Sequence, residues 1–576
     1  MILQSAVQIF LTLLIGVLLS IPVGRYLSRV VTGKKTFFDR LCDPIDNAIY
    51  VLIGKRICAS PMSWSAYTTH MLVTNLVMAV VIYLILVFQN RLPLNPQNFP
   101  GVEPLLAFNT AVSFITNTDW QAYGGETTFS NFSQMAAITF PMFTSAATGF
   151  VVAMAFIRAF TVKNGGSDIG NFYRDLIRFT TRVLLPAAFV LSILLIQQGE
   201  PQTLDALVTA HTIQGGEQTI SLGPVASLET IKHLGTNGGG FFNANAAHPF
   251  ENPTPITNLV ETLLMIVLPA SIVLCFGEMI GNRRQGWVLY MVMGALLLLF
   301  LPLTIVSEQA GTPILANAGI EMAATSDQPG GNMEGKEVRF GIAQSGLFAT
   351  VTTSFTTGSV NSMHDSFTPL GALPQFIGMM LQCIYGGKGV GFLAALSYGI
   401  IAIFVAGLMV GRTPEFLGKK IEKAEIVLVA LVLLIHPLVI LAPTGWSVVT
   451  SYGTSSMANP GLHGYSEVLY AFSTSAANNG SAFAGLNANT PWYNFATAFV
   501  ILIGRYPPII FMMAVAGSIA RKPMVAATTA TLRTDTATFG VFWFATILIV
   551  GALTFFPAIV LGPLAEFFAM KAGQLF

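Results

Sequence analysis

Four short stretches, far apart in the chain, share residue types suited to holding a bare monovalent cation. They read AFNTAVSFITNTDWQ, SLETIKHLGTNGGGFFN, GLFATVTTSFTTGSVNS and VLYAFSTSAANNGSAFAG. Aligned on a small residue, they place Thr118, Gly238, Gly358 and Gly480 in register, with separations of 120, 120 and 122 residues. Around these anchors stand Thr116-Asn117-Thr118-Asp119, Thr236-Asn237-Gly238-Gly239, Thr356-Thr357-Gly358-Ser359 and Asn478-Asn479-Gly480-Ser481. Glycine lets a strand aim successive carbonyls the same way, and rings of such oxygens replace a cation's hydration shell in channel filters. One Gly- and Asn-rich stretch is ordinarily a surface turn. Four at near-equal spacing mark one structural unit used four times. The GTNGGG of the second stretch lacks GxxxxGK[ST], so it is not a phosphate loop.

The elements that must position these stretches are membrane helices. Of 576 residues, 53% are hydrophobic and only 10% charged, less than half the charge of a soluble domain. Mean hydropathy is +0.66. Apolar runs at 3–23, 70–89, 133–160, 183–198, 257–278, 287–306, 376–410, 425–443, 493–519 and 539–562 give ten spans of an all-α polytopic protein. The first run has no basic residue ahead of it and no small-residue cleavage site, so it reads as a retained helix. Alternate loops hold 21 of the 28 basic residues. The positive-inside rule therefore puts both termini outside, together with the loops that carry the four stretches. Each repeat reads helix, re-entrant loop, helix: 70–160, 183–278, 287–410 and 425–519. The segments 1–69 and 539–576 each add one helix outside the repeat. Short helices before each strand, begun by residues such as Ser227 and Glu229 or Ser466 and Glu467, would aim their C-terminal carbonyls at the cation.

Two further features lie within the spans. The run 376–410 would be ~52 Å long as one helix, too long for a ~30 Å core. Gly386, Gly387, Lys388, Gly389 and Gly391 interrupt it, so 385–391 is expected to be a non-helical loop. Arg505 falls inside another span, where a buried charge ordinarily faces a cavity or a partner. The four cysteines show no paired spacing, and the seven histidines no metal-ligand spacing. His248 and His364 read as supports just beyond the filter. The acidic residues of 307–342 (Glu308, Glu321, Asp327, Glu334, Glu337) read as a solvated loop face. A net charge of +1 offers no electrostatic footprint for nucleic acid.

The stretches HLGTNGGGFFNANAAHPFENPT (233–254), MHDSF (363–367), GRTPEFLGKKI (411–421) and NNGSAFAGL (478–486), with TNTDWQ (116–121), resemble the potassium-binding subunit family of the bacterial Kdp potassium-importing ATPase. The resemblance runs over nearly the whole chain. It implies an inner-membrane subunit that selects potassium at the filter and passes it through an intramembrane tunnel. A separate P-type ATPase catalytic subunit then uses ATP and magnesium, and small accessory subunits complete the assembly. The architecture is also similar to stand-alone Trk/Ktr/HKT transporters and, more distantly, to tetrameric potassium channels; that likeness implies that 385–391, with Gly386, Gly387, Lys388, Gly389 and Gly391, acts as a gate beneath the filter and that Arg505 repels cations and limits leakage. Two positions depart from the family pattern: Asp119 where Asn is expected, and the Thr356-Thr357 pair. The chain has no DKTGT phosphorylation motif, so it is expected to be no enzyme by itself and to need no cofactor, with potassium as substrate. The other reading is a self-sufficient potassium channel or transporter.

Overall fold

The computed structural model describes residues 2–574 apart from 206, 326–327 and 527–530. Ten of its helices are long and apolar enough to cross a membrane. In chain order the elements used below are α1 (Ile2–Val31), α2 (Asp39–Ile53), α3 (Trp64–Val87), α4 (Pro104–Ile115), α5 (Asn131–Thr161), α6 (Phe172–Gln197), α7 (Val225–Leu234), α8 (Pro255–Met279), α9 (Arg283–Ala310), α10 (Gly341–Ser354), α11 (Pro369–Leu381), α12 (Val390–Met409), α13 (Lys423–Val448), α14 (Gly461–Ala476), α15 (Pro491–Arg521) and α16 (Ala537–Lys571). Local chemistry sets many of the starts. The hydroxyl of Ser63 accepts from the Ala66 amide ahead of α3. Thr254 and Thr257 form a capping box at α8, with Pro255 at the first helical position, where a missing N–H costs nothing.

The same triplet of helices recurs four times: a span, a short buried helix followed by a strand without regular structure, and a second span, which in the third repeat is broken into α11 and α12. The short helices are α4, α7, α10 and α14, and none of them is long enough to cross. Helix α1 lies outside the triplets and crosses α8, where Gly16 and Gly24 let the two backbones approach: a Cβ on Gly24 would sit 3.0 Å from the Ser271 carbonyl oxygen. Helix α5 is the most enclosed span, while α1, α3, α13 and α16 turn most of their apolar surface outward. Two small antiparallel hairpins interrupt the helical plan: β1 (Leu207–His211) with β2 (Glu217–Ser221), and β3 (Glu415–Phe416) with β4 (Lys419–Lys420).

Four sequence expectations need correcting. The span expected at 183–198 begins at Phe172. Hydropathy misses its first turns because Arg182, fully buried, is neutralised from outside the helix by Asp39, Asp43 and Asp46 of α2. The long run at 376–410 is two helices with a break at 382–389; Gly391, expected in the loop, is already in α12. The short helices do not start at the expected residues. α7 begins after Pro224, so that Ser227 and Glu229 stand inside it, and α14 begins at Gly461, five residues before Ser466. Glu308 is no solvated acid: it is fully buried against the Lys336 ammonium at 2.6 Å and accepts from the Thr368 amide at 2.7 Å. Asp327 lies outside the described residues.

Candidate functional site

Each short helix delivers its chain to the same place. The residue three past the helix end donates its amide five residues back: Thr118 to Ser113, Asn237 to Lys232, Thr357 to Thr352 and Asn479 to Thr474, at 2.8–3.1 Å. This pattern fixes the register by geometry. One residue on stand Asp119, Gly238, Gly358 and Gly480, so Asp119, and not Thr118, shares the glycine position. Its backbone matches two of the three glycines, with φ +54 beside +100 at Gly358 and +96 at Gly480, whereas Gly238 is not left-handed. Two residues earlier, Asn117, Thr236, Thr356 and Asn478 all have φ between +50 and +63. Left-handed residues at alternate positions turn successive carbonyls to one side of a strand. Non-glycine residues adopt that conformation only when the surroundings over-determine it.

The four strands meet at van der Waals distance. A Cβ on Gly480 would lie 1.8 Å from the Thr118 carbonyl oxygen, and one on Gly358 2.0 Å from the Asn479 carbonyl oxygen. One on Gly238 would meet both oxygens at 2.7 Å. Side chains tie each repeat to the next. Asn117 Nδ2 donates to the Thr236 carbonyl at 2.7 Å, joining the first strand to the second. His233 Nε2 and Ser359 Oγ, 2.8 Å apart, join the second to the third. Asn479 Nδ2 donates to the Thr352 carbonyl at 2.8 Å, joining the third repeat to the fourth. Asn478 Nδ2 donates to Thr118 Oγ1 at 3.0 Å and closes the ring. Thr116 supports it from within, 2.8 Å from Thr118 across their hydroxyls. Above the strands a cavity of about 350 Å³ opens, lined by Trp120, Gln121, Asn245, Glu467 and the three glycines.

Below the strands runs the break between α11 and α12. Gln382 ends α11 in the left-handed conformation and donates Nε2 to the Ala477 carbonyl at 2.9 Å. The Tyr385 ring stacks on Phe355, and its hydroxyl donates to the Tyr290 carbonyl at 2.7 Å. The Gly387 amide donates to the Phe355 carbonyl at 2.7 Å and to Thr356 Oγ1 at 3.0 Å. A Cβ on Gly387 would fall 2.3 Å from Thr236 Oγ1. The loop is therefore pressed against the feet of the second and third strands. Gly386 packs against Gly391, and Gly389 against the Gly149 carbonyl of α5. Lys388 lies in the single 3₁₀ turn 387–389, and its side chain is outside the described set. Arg505 is buried in α15, next to Gly504, which rests on Ala476 at the end of α14. Among the described residues its two terminal nitrogens have no hydrogen-bond partner.

Comparison with known proteins gives the family and the fold. The family model for the potassium-transporting ATPase A subunit matches residues 10–568. The chain belongs to that family. It is 50% identical to the potassium-transporting ATPase potassium-binding subunit of Geobacillus kaustophilus over 98% of this chain and 99% of that protein. The protein of the same name from Delftia acidovorans is 48% identical, with 98% of each chain covered. Among solved structures, the potassium transporter TrkH from Vibrio parahaemolyticus superposes with a TM-score of 0.53 at 12% identity, covering 87% of this chain and 97% of that one. That likeness is one of fold.

In this member of the A subunit family, the four strands rest on polar residues that motif reading passed over. Asn245 Oδ1 accepts from Lys232 Nζ at 3.0 Å and from Ser359 Oγ at 3.1 Å, while its Nδ2 donates to the Gly238 carbonyl at 3.0 Å. Lys232, fully buried in α7, pairs with Glu229 at 2.6 Å and Glu251 at 2.8 Å. Gln121 spans the first and second strands through both the amide and the carbonyl of Gly240 at 2.9 Å. A lysine in a short apolar helix was the available signal; its partner 19 residues on was not. His364 supports the ring as expected, 2.7 Å from Tyr470, whereas His248 stacks on Phe242.

Proposed function

We propose that this chain selects potassium at the four-strand filter and hands it to a P-type ATPase subunit, which hydrolyses ATP with magnesium and drives import. One observation carries the reading: four strands meet so closely that a side-chain carbon at Gly238, Gly358 or Gly480 would collide with a carbonyl of a neighbouring strand, which brings main-chain carbonyls into one small volume. Carbonyl rings of that kind replace hydration water around a cation. The filter residues are then Thr116–Asp119, Thr236–Gly239, Thr356–Ser359 and Asn478–Gly480. The gate is the 382–389 loop with Gly386, Gly387, Lys388 and Gly389, and Arg505 is the charge against leak. The names of the relatives assign potassium binding to this subunit and place it in an ATPase complex.

The cavity of about 350 Å³ is the outer vestibule in this reading. The vestibule and both termini then face outside the bacterial inner membrane, which the concentration of basic residues in the alternate loops supports. Small accessory subunits and surrounding lipid complete the assembly. The test is ATP hydrolysis by the purified complex as a function of added potassium or sodium. Stimulation by potassium at concentrations where sodium is inert supports the reading. Potassium uptake by this chain alone, in cells lacking any such ATPase subunit, would instead support a stand-alone transporter.

A further inference from the structure

Behind the second strand, between α7 and α8, stands a group of side chains that the filter does not use. Glu229 and His233, four residues apart, share one face of α7, and Glu261 meets them from α8. One carboxylate oxygen from each glutamate and one ring nitrogen of His233 lie within 4.8 Å of one another. All three residues are fully buried. His233 Nδ1 is 2.9 Å from the Glu229 main-chain carbonyl oxygen, which can only accept. The ring proton is therefore on Nδ1, and Nε2 presents its lone pair. Glu261 Oε2 stands 3.4 Å from that nitrogen. Among the described residues neither Glu261 oxygen has a hydrogen-bond partner, and neither has either Glu229 oxygen. The Ser359 hydroxyl, 2.8 Å from Nε2, has another acceptor in Asn245 Oδ1 at 3.1 Å, so Nε2 is not committed to it.

Two acceptors that face each other in a dry interior need a positive centre between them. The Lys232 ammonium is taken by Glu229 Oε2 at 2.6 Å, Glu251 Oε2 at 2.8 Å and Asn245 Oδ1 at 3.0 Å. The Arg339 guanidinium is taken by Glu337 and the main-chain carbonyls of Ala247 and Asn252. Glu229, Glu251 and Glu261 set three carboxylates against one ammonium, and Glu200, buried just past α6, adds a fourth. A proton shared by Glu261 and Nε2 would draw the two atoms to about 3 Å or less. Ligand atoms about 2.1 Å from a tetrahedral metal stand about 3.4 Å apart. A ring nitrogen among carboxylates suits zinc and its neighbours, whereas magnesium and calcium take oxygen throughout. An Nδ1–H seated on a main-chain carbonyl is the usual outer contact of a metal-binding histidine. We propose that Glu229, His233 and Glu261 bind one divalent transition-metal ion, such as zinc. The dication offsets two of the three excess negative charges and fastens α7 to α8 behind the second and third strands. The site stands independently of what the filter carries.

Metal retention by the full-length protein in detergent tests it. Protein stripped with a chelator, incubated with zinc and freed of excess by gel filtration should keep about one zinc per chain by elemental mass spectrometry. Magnesium and calcium, offered in the same way, should wash off. Cobalt(II) in place of zinc should give visible absorption bands distinct from those of cobalt in buffer, and His233→Gln should abolish them. His233→Gln and Glu261→Gln should each weaken zinc at least tenfold, the least that a lost contact around a metal costs. His463→Gln, in the separate cluster with Asp365 and Glu467, is the control and should keep the zinc. A wild-type protein that retains no zinc, or whose cobalt bands match those in buffer, overturns the proposal without any variant. So does zinc held unchanged by both His233→Gln and Glu261→Gln, or lost in His463→Gln.

Discussion

Replacing Gly480 with alanine puts one carbon where the structure has room for none. The new Cβ would stand 1.8 Å from the Thr118 carbonyl oxygen, whereas carbon and oxygen settle at about 3.3 Å. The strands must part by roughly 1.5 Å, and φ of +96 strains alanine by about 1–3 kcal/mol. A carbonyl moved that far no longer touches the ion. On the scale of a contact to a charged group, about 1.5–3 kcal/mol, its loss weakens potassium affinity roughly ten- to hundredfold. Gly358→Ala, with its contact at 2.0 Å, should follow closely, and Gly238→Ala, at 2.7 Å, should do less. Gly239→Ala should do least of these, because its nearest neighbour at 2.9 Å is the Phe114 ring edge, which can swing aside. Gly445→Ala, with open space around it, is the control. The assay is half-maximal potassium for ATP hydrolysis by the purified complex, with sodium as challenger. If Gly480→Ala and Gly358→Ala assemble and keep wild-type affinity within twofold, with sodium still excluded, the filter assignment fails.

Other expected outcomes follow from the same geometry. At Asp119 the backbone matters more than the charge: Asp119→Gly and Asp119→Asn should keep potassium stimulation within a few-fold. Asp119→Val, β-branched in a left-handed position, should lose about 1–3 kcal/mol of stability by thermal melting. Arg505→Ala should raise passive rubidium efflux from proteoliposomes without ATP, and Arg505→Lys should restore the block; equal efflux in all three removes Arg505 from the pathway. Gly387→Ala forces the loop off Thr236 and Phe355, so ATP hydrolysis should part from potassium uptake while assembly persists. Arg182→Ala leaves three aspartates without their buried cation and should destabilise the protein by about 3–5 kcal/mol in denaturant or thermal unfolding.

The four-part plan was legible because it is written locally, in apolar runs and in turn residues at near-equal spacing. What escaped depends on partners distant in sequence. The first strand was read one residue out of register because it has no glycine to align on. Asp119 holds the glycine conformation, and only the amide pattern behind it shows this. The start of α6 was lost because the charge of Arg182 is cancelled by residues about 140 positions away. Glu308 looked solvated for the same reason: its cation, Lys336, is in another segment. The break in 376–410 was foreseen from its glycines, yet its edges were misplaced. Gly391 packs on Gly386 from within a helix, and small residues serve that purpose as readily as they break one.

The ring of ties between strands has a consequence for synthesis. Its closing bond, Asn478 to Thr118, joins residues 360 positions apart. While the chain is being made, three quarters of the filter sits in the membrane with one side open, and no earlier contact can substitute for the missing strand. An unfinished or truncated chain therefore holds no complete cage of carbonyls and cannot strip water from an ion. If the four strands are the filter, selectivity for potassium should be complete only once the fourth repeat has joined the first.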